Sequence, residues 1–278
     1  MQYIRIYNII INSIIITRPI NCIIAGVSIF FAGYIANNYQ FNYYHSILLA
    51  LAGSFVTAAG NIINDIFDIE IDKINRPLRP LPSKKISITF AYILYFSFVT
   101  LSIFLSSTVN IYALGIVIIS NITIFFYSYK LKSIALVGNF TVSFFTALSF
   151  IYGGLAGNNI KLVFLPAFFA FLVNFIREIV KDCEDIEGDT ALGMKTFPIL
   201  FGNQSSTKLL LALNTILITS CVYLFYLKLN SIIAAVLVIF IIFLLIFVHK
   251  NIKNSNFHKS SSLLKIIMIL GIISFIIN

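Results

Sequence analysis

The acidic residues of this chain are confined to two short stretches. All ten aspartates and glutamates lie within residues 65–72 or 178–189. Each stretch contains three aspartates at the same spacing: Asp65, Asp68 and Asp72 in the first, and Asp182, Asp185 and Asp189 in the second. Residues at i, i+3 and i+7 share one face of an α-helix, so each set predicts a stripe of carboxylates on a helix. Oxygen ligands of this kind suit Mg²⁺, which often bridges one or two carboxylates to substrate phosphates. The repetition hints at an internal duplication.

Basic and amide side chains accompany both stretches, as expected of a site for an anionic ligand. These neighbours are Asn61, Asn64, Arg76, Arg79, Lys84, Lys85, Lys130, Lys132, Arg177 and Lys181. Two facing carboxylate stripes would hold Mg²⁺ around a diphosphate, and the metal would neutralise a leaving pyrophosphate. The alternative is that the acids are helix-end charges paired with loop Lys and Arg. For a single Lys or Arg, membrane topology alone is a sufficient explanation.

The elements that carry these residues have the composition of a polytopic membrane protein. Of 278 residues, 59% are hydrophobic and only 10% are charged, with a mean hydropathy of +0.98. A soluble domain usually has about 25% charged residues. A span needs about 20 apolar residues. We therefore predict an all-α protein, a single domain over residues 1–278, with nine transmembrane helices. The predicted spans are 19–36, 46–66, 87–106, 110–127, 134–154, 162–181, 207–226, 231–248 and 262–277.

The basic residues predict the orientation of the chain in the membrane. All but two of the 19 lie at one side of the predicted bundle, which the positive-inside rule makes cytoplasmic. The N-terminus and both acidic stretches are then cytoplasmic and the C-terminus is outside. This distribution explains the net charge of +9 without a nucleic-acid partner. Residues 1–17 are predicted to be an interfacial segment that ends at Arg18-Pro19.

Four segments together resemble the UbiA-type membrane prenyltransferases. The first is NDIFDIEIDKINRPLRPLPS at residues 64–83, which is similar to that family's first aspartate-rich signature. The second is REIVKDCEDIEGDTALGMKTFPILFG at residues 177–202, similar to the second signature. The segments YSYKLKSIALVGN, at residues 127–139, and TRPIN, at residues 17–21, also fit.

The resemblance implies nine transmembrane helices around a central cavity with a cytoplasmic-side cap, and Mg²⁺-dependent transfer of a prenyl group from a prenyl diphosphate. Carried over by position, the implied metal ligands are Asn64, Asp65, Asp68, Asp72, Asp182, Asp185 and Asp189. Among these, Asp68, Asp72, Asp182 and Asp185 would be catalytic. The implied substrate-binding residues are Asn64, Lys130, Lys132 and Arg177, and Arg76 and Arg79 are candidates for the phosphate of an acceptor.

The residues of both signatures are most similar to those of the family branch that adds a second geranylgeranyl chain to geranylgeranylglyceryl phosphate in ether-lipid synthesis. Enzymes that prenylate 4-hydroxybenzoate, quinone rings or chlorophyll precursors share much of the first signature and remain alternatives. Lys84 departs from the pattern, since relatives often have Gly after Pro-Ser. A transporter is a more remote alternative, because its acids would lie along a path through the bilayer. Here the acids cluster at one end.

Overall fold

The computed structural model describes residues 2–40, 42–191, 193–226 and 231–277, with the side chains of residues 2–6 and 75 left aside. This part of the chain is helical and contains no extended sheet. Its α-helices are α1 (Gln2–Thr17), α2 (Pro19–Ala36), α3 (Tyr43–Phe67), α4 (Ile69–Asn75), α5 (Ile88–Ser107), α6 (Ile111–Tyr129), α7 (Val137–Gly154), α8 (Phe164–Glu184), α9 (Ile186–Ala191), α10 (Phe197–Tyr226), α11 (Ile232–Lys253) and α12 (Phe257–Ile277).

Each of the nine predicted spans contains a helix, which confirms the all-α membrane fold. Eight helical segments of the described chain are long and apolar enough to cross a membrane. The ninth candidate, α7, is not among them, and polar residues and glycines occur along its whole length. The count of nine spans, the central cavity and the cap remain predictions.

The chain divides into two compact units, which we describe separately. The first comprises residues 1–131 and 152–159. Its centre is α3, which packs against α2, α5 and α6 and also contacts α1. Leu49, Ile62 and Ile63 of α3 are fully buried. Gly153 permits close packing on α2, since a Cβ there would lie 2.2 Å from the carbonyl oxygen of Ile29. Small residues allow such close approach between membrane helices.

The second unit comprises residues 132–151 and 160–278. Its central helix is α8, which packs against α10 and α12, and α11 packs against both of these. Its core is aliphatic, with Ile176, Ile179, Leu210 and Leu245 fully buried. The prediction of a single domain over the whole chain remains a prediction.

Both units contain the same backbone sequence of features. A residue in the left-handed region precedes a helix in each, namely Arg18 (φ 51°) before α2 and Leu136 (φ 60°) before α7. A long helix then ends at an aspartate and a short helix follows, with Asp68 between α3 and α4 and Asp185 between α8 and α9. This shared order supports the duplication suggested by the aspartate spacing.

The expectation of one continuous helix under each stripe is only partly met. Asp68 (φ −92°, ψ 6°) and Asp185 (φ −101°, ψ 14°) leave helical geometry, and aspartate is a weak helix former. The i to i−4 hydrogen bonds nevertheless continue through both bends. The amide of Asp68 donates to the carbonyl of Asn64 at 2.9 Å, and that of Asp185 donates to Lys181 at 2.9 Å. Each stripe therefore bends without losing its register.

Candidate active site

We use the name first acidic segment for residues 61–72, which join the end of α3 to α4. Asp65 and Asp72 are buried, with exposed fractions of 4% and 5%. Asp68, at the bend, is half-buried. The side-chain amide of Asn64 donates to Oδ2 of Asp68 at 2.9 Å, which orients that carboxylate. The segment thus places two aspartates inside the unit and one at its edge.

Two arginines neutralise the buried aspartates of the first acidic segment. Oδ1 of Asp65 accepts from Arg18 at 2.5 Å and from Arg79 at 3.3 Å. Arg79 also donates to Oδ2 of Asp72 at 2.5 Å. Buried carboxylates need such partners, because an unpaired buried charge carries a large desolvation cost. Arg79 therefore links two predicted metal ligands of this segment.

Arg79 is held by an ordered loop that follows α4. The hydroxyl of Ser83 donates to the carbonyl of Arg79 at 2.6 Å. Leu81 and Ile86 are buried against Ile62 and neighbouring core residues of the first unit. The loop is therefore packed onto the unit and fixes the direction from which Arg79 approaches the aspartates.

The other cations predicted near the first acidic segment are exposed. Arg76 follows the end of α4 and, like Lys84 and Lys85, faces away from the core. Lys84 adopts φ 57°, the left-handed region that favours glycine, so its departure from the family pattern occurs at a position where it has a conformational cost. Glu70, off the stripe, pairs with Lys73 at 2.7 Å.

The TRPIN segment lies against the first acidic segment. Arg18 reaches Asp65 from the junction of α1 and α2. The side-chain amide of Asn61 donates to the carbonyl of Thr17 at 2.8 Å. Two residues on one face of α3, Asn61 and Asp65, therefore contact the junction between α1 and α2. The predicted interfacial segment, over its described residues 2–17, is the helix α1 and ends at this junction.

We use the name second acidic segment for residues 178–189, from the last turns of α8 through α9. Asp182 and Asp189 are half-buried and Asp185 is exposed. Oδ2 of Asp182 accepts from the side-chain amide of Asn139 on α7 at 2.8 Å. Within the described residues, none of these three aspartates forms an ion pair with a basic side chain. In the described part of the chain these three carboxylates are therefore not neutralised by a direct ion pair.

Asp189 shows the electrostatic result of this arrangement. Burial, and secondly the negative charge of Asp185, raise its pKa from 3.8 to about 6. A raised pKa means that the ionised carboxylate is unfavourable at this position, so a cation bound in place of the proton would stabilise it. The raised pKa of Asp189 is compatible with the predicted metal site, which remains a prediction.

Two basic residues near the end of α8, Arg177 and Lys181, both pair with Glu178. Its Oε1 accepts from Arg177 at 3.0 Å and from Lys181 at 2.6 Å. The Nε–H of Arg177 is buried and has no hydrogen-bond partner among the described residues. Such an orphaned donor is unusual and fits an anionic oxygen of a ligand. Glu184 pairs with the exposed His258 at 2.6 Å.

Two distant loops of the second unit meet beside this segment. Ile134 and Lys195 form an isolated parallel bridge, and the amide of Lys195 donates to the carbonyl of Ser133 at 3.2 Å. The predicted YSYKLKSIALVGN and GMKT segments are thus joined. Lys132 is half-buried in the short 3₁₀ turn of the first loop, whereas Lys130 follows the end of α6 and is exposed.

The predicted site residues are brought together in two groups. Among the described residues, no three His, Cys, Asp or Glu side chains lie close enough to hold one metal ion. In the first acidic segment the reason is visible, since Asp65 and Asp72 turn towards Arg79. The seven metal ligands and the substrate contacts remain predictions.

Two residues with close contacts to the stripes were not given roles from the sequence. Arg18 was used only as a topology signal and a motif match, and Asn139 only as the end of a motif. The sequence could have indicated that both residues have polar partners. An Arg beside a proline at the start of an apolar helix, and an Asn near the start of another, both require such partners in a membrane protein.

The fold and these segments place the chain in a class of membrane enzymes. Residues 25–272 match the UbiA prenyltransferase family, and the chain belongs to that family. It is therefore a polytopic membrane prenyltransferase.

Its similar relatives share one name. The chain is 37% identical over 268 residues to a digeranylgeranylglyceryl phosphate synthase of Methanosphaera stadtmanae, which covers 94% of this chain and 96% of the relative. It is also 37% identical over 276 residues to the synthase of that name from Methanobrevibacter smithii, at 95% and 96% coverage.

Solved structures agree with these relatives. A structure described as a digeranylgeranylglyceryl phosphate synthase in membranes matches with a TM-score of 0.84 and 34% identity, over 96% of this chain and 97% of the other. A UbiA homologue from Archaeoglobus fulgidus bound to GPP and Mg²⁺ matches with a TM-score of 0.68 over 95% of this chain and 99% of that one. At 20% identity it shows the shared fold.

Proposed function

We propose that this protein transfers the geranylgeranyl group of geranylgeranyl diphosphate to the hydroxyl of geranylgeranylglyceryl phosphate, a step of membrane ether-lipid synthesis. The observation that carries the proposal is the 37% identity to digeranylgeranylglyceryl phosphate synthases along nearly the whole length of both chains. Both aspartate segments and the loops between them lie inside residues 25–272, which match the family.

Mg²⁺ is the proposed cofactor, and the residues present fit it. The second acidic segment offers Asp182, Asp185 and Asp189 without a basic partner among the described side chains. The first offers Asn64, Asp68 and Asp72, where Asn64 orients Asp68. When bound, Mg²⁺ would neutralise the charge that develops on the departing pyrophosphate. Asp65, the seventh predicted ligand, has a different environment, since its carboxylate contacts both Arg18 and Arg79.

Basic residues bind the diphosphate oxygens in this proposal. Arg177 is the best supported, because its Nε–H is buried without a partner and is available to an anionic oxygen. Lys130, at the end of α6, and Lys132, within the 3₁₀ turn that follows, supply further positive charge. Charge-assisted hydrogen bonds of this type are about twice as strong as neutral ones.

The reaction exchanges the C1–O bond of the diphosphate for a C1–O bond to the acceptor and moves the proton of the acceptor hydroxyl. The C1–O bond of the prenyl diphosphate breaks, its electron pair leaves with the pyrophosphate, and an allylic cation remains. The acceptor hydroxyl attacks C1 and releases its proton to a carboxylate or to the pyrophosphate.

The faces of aromatic rings stabilise cations. Near the second acidic segment, Phe140, Phe171 and Phe175 form a row of contacts with centroids 5.4 and 5.6 Å apart.

The phosphate of the acceptor requires its own cations. Arg79 and Arg76, on the loop after α4, are the proposed partners, and the exposed Lys84 and Lys85 extend the same basic surface. By the positive-inside rule we place these residues and both acidic segments on the cytoplasmic side, with the N-terminus inside and the C-terminus outside.

The proposal is tested with purified membranes, Mg²⁺ and labelled geranylgeranyl diphosphate. Geranylgeranylglyceryl phosphate and 4-hydroxybenzoate are offered in separate reactions, with EDTA controls. We expect a labelled diether phosphate that disappears with EDTA. A prenylated ring as the product would refute the lipid acceptor and support the aromatic branch. Ion or lipid flux without pyrophosphate release would refute the enzyme and favour a transporter.

A further inference from the structure

We propose that Asp65 is a positioning residue that holds Arg79 for the acceptor phosphate, and that it does not bind the metal. This inference rests on the proposed function, since it concerns the phosphate of the lipid acceptor. It divides the first acidic segment into an anchor, Asp65, and metal ligands, Asp68 and Asp72.

The charge balance around Asp65 differs from that of a metal ligand. Its side chain is 5% exposed and its Oδ1 contacts two guanidinium groups, those of Arg18 and Arg79. One carboxylate is therefore surrounded by two positive charges. A divalent cation at the same oxygen would meet the repulsion of both, and at close range in a buried setting this repulsion is weakly screened.

The two arginines come from separate parts of the first unit. Arg18 lies at the junction of α1 and α2, and Arg79 lies on the loop after α4. Arg18 also keeps a left-handed backbone, with φ 51° and ψ 69°, a conformation that is unfavourable for a non-glycine residue. Strain of this kind persists where the surroundings fix the residue. Asp65 therefore fixes the position of both cations at once.

Arg79 connects this anchor to the reaction. It contacts Asp65 and Asp72 through the same Nη1, and its side chain is 18% exposed. When Asp72 turns to a metal, Asp65 still retains Arg79 beside the segment. The remaining N–H groups of the guanidinium are then available to a phosphate, for which Arg is well suited by its planar fork of donors.

The test compares Asp65→Asn with Asp68→Asn in the full-length protein in detergent. Equilibrium binding of labelled inorganic pyrophosphate is measured against Mg²⁺ concentration, and steady-state transfer gives KM for donor and acceptor. We expect Asp65→Asn to keep the Mg²⁺ half-saturation within about twofold of the unsubstituted protein and to raise the acceptor KM about tenfold, with an unchanged donor KM. Asp68→Asn should raise the Mg²⁺ half-saturation about tenfold or more.

A double-mutant cycle tests whether Asp65 acts through Arg79. Arg79→Gln should raise the acceptor KM as Asp65→Asn does, and the double variant should be no worse than Arg79→Gln alone, because residues that act as a unit are non-additive. Lys73→Gln, at an exposed basic residue of α4 that pairs with Glu70, is the matched control and should leave the acceptor KM unchanged. Fully additive effects of Asp65→Asn and Arg79→Gln would overturn the proposal.

Two further outcomes would also overturn it. A rise in Mg²⁺ half-saturation for Asp65→Asn equal to that for Asp68→Asn would make Asp65 a metal ligand. A uniform loss of active protein, with both KM values unchanged, would make Asp65 merely structural. If Asp65→Asn does not fold, Asp65→Glu replaces it, with the same expected selectivity for the acceptor KM.

The proposed function can fail separately. If the unsubstituted protein prenylates only 4-hydroxybenzoate, the lipid acceptor is wrong and the claim that Arg79 is held for its phosphate falls with it. The Mg²⁺ dependence of pyrophosphate binding would still show whether Asp65 binds the metal, since that measurement uses no acceptor.

Discussion

The two acidic segments have the same aspartate spacing and the same bend, but opposite charge balance. In the first, Asp65 and Asp72 are buried and paired with arginines. In the second, Asp182 receives one amide hydrogen bond and Asp185 and Asp189 have no basic partner among the described residues. Identical backbone geometry therefore does not dictate identical chemistry. The surroundings of each stripe decide whether it is already neutralised or still requires a cation.

The comparison also shows where each segment obtains its support. The left-handed residue before α2 is Arg18, which supplies a charge to Asp65. The left-handed residue before α7 is Leu136, and the support for Asp182 comes from Asn139, three residues further on. A neutral amide orients a carboxylate without cancelling its charge, so the second segment retains its attraction for a divalent ion.

The largest expected effect comes from removing charge in the second acidic segment. Asp182→Asn or Asp185→Asn should lower prenyl transfer about 10²–10³-fold at saturating Mg²⁺, because each carboxylate is a proposed ligand of the metal that stabilises the leaving pyrophosphate. Glu187→Gln, an exposed acid of α9, is the matched control and should change transfer less than twofold. Near-native transfer by both aspartate variants would mean that the second segment is not the metal site.

A smaller effect is expected from the amide that orients Asp182. Asn139→Leu should raise the Mg²⁺ half-saturation about tenfold, because partners that orient a metal ligand contribute 10–100-fold to metal affinity. The measurement is pyrophosphate binding against Mg²⁺ concentration. Asn214→Leu, which removes a buried amide bonded to the carbonyl of Leu245 on α11, should lower thermal stability and leave the Mg²⁺ half-saturation unchanged. Equal shifts in both variants would contradict the orienting role of Asn139.

The pH dependence of the metal-free protein distinguishes the segments further. The pKa of Asp189 is raised from 3.8 to about 6, so the folded state holds this proton more tightly than the unfolded state. The stabilising contribution of the proton is present below about pH 4 and is lost as pH rises through about 6. With EDTA, the unsubstituted protein should therefore lose more thermal stability between pH 4 and 6 than Asp189→Asn does. Parallel melting curves would refute the raised pKa.

The smallest effect is expected in the loop that belongs only to the first segment. Lys84→Gly should stabilise the protein by about 0.5–1 kcal/mol, because glycine adopts φ 57° without the cost of a side chain. Lys85→Gly, at a neighbouring exposed position without positive φ, should not stabilise. Thermal unfolding midpoints measure both, and a shift in Mg²⁺ half-saturation for Lys84→Gly would show that the loop also acts on the metal.

Much of this architecture follows from the sequence, because it depends on amino-acid composition and on the spacing of apolar and acidic residues. Long apolar stretches predicted the helices, and ten acids in two places predicted where a site would lie. The contacts of Glu70 with Lys73 and of Arg177 with Glu178 join residues that are close in the sequence, so they are local. The bends at Asp68 and Asp185 were missed, because helical spacing alone does not reveal a local departure of φ and ψ.

The long-range pairs could not be predicted in the same way. Arg18 and Asp65 are 47 residues apart and Asn139 and Asp182 are 43 apart, so only tertiary packing brings them together. An i, i+3 and i+7 pattern treats Asp65 and Asp182 as equivalent. The difference between them depends on which side chain of another helix reaches each carboxylate.

The pair of Arg18 and Asp65 has a consequence for how the protein is made. Asp65 lies in the last turn of an apolar helix, and a charged residue raises the cost of inserting such a helix into a bilayer. Arg18 directly precedes α2, so synthesis delivers the cation before the anion. Ser54 also joins the two helices, donating to the carbonyl of Cys22 at 2.9 Å. If α2 and α3 enter the bilayer together, the Arg18–Asp65 pair lowers the insertion cost that α3 would carry alone.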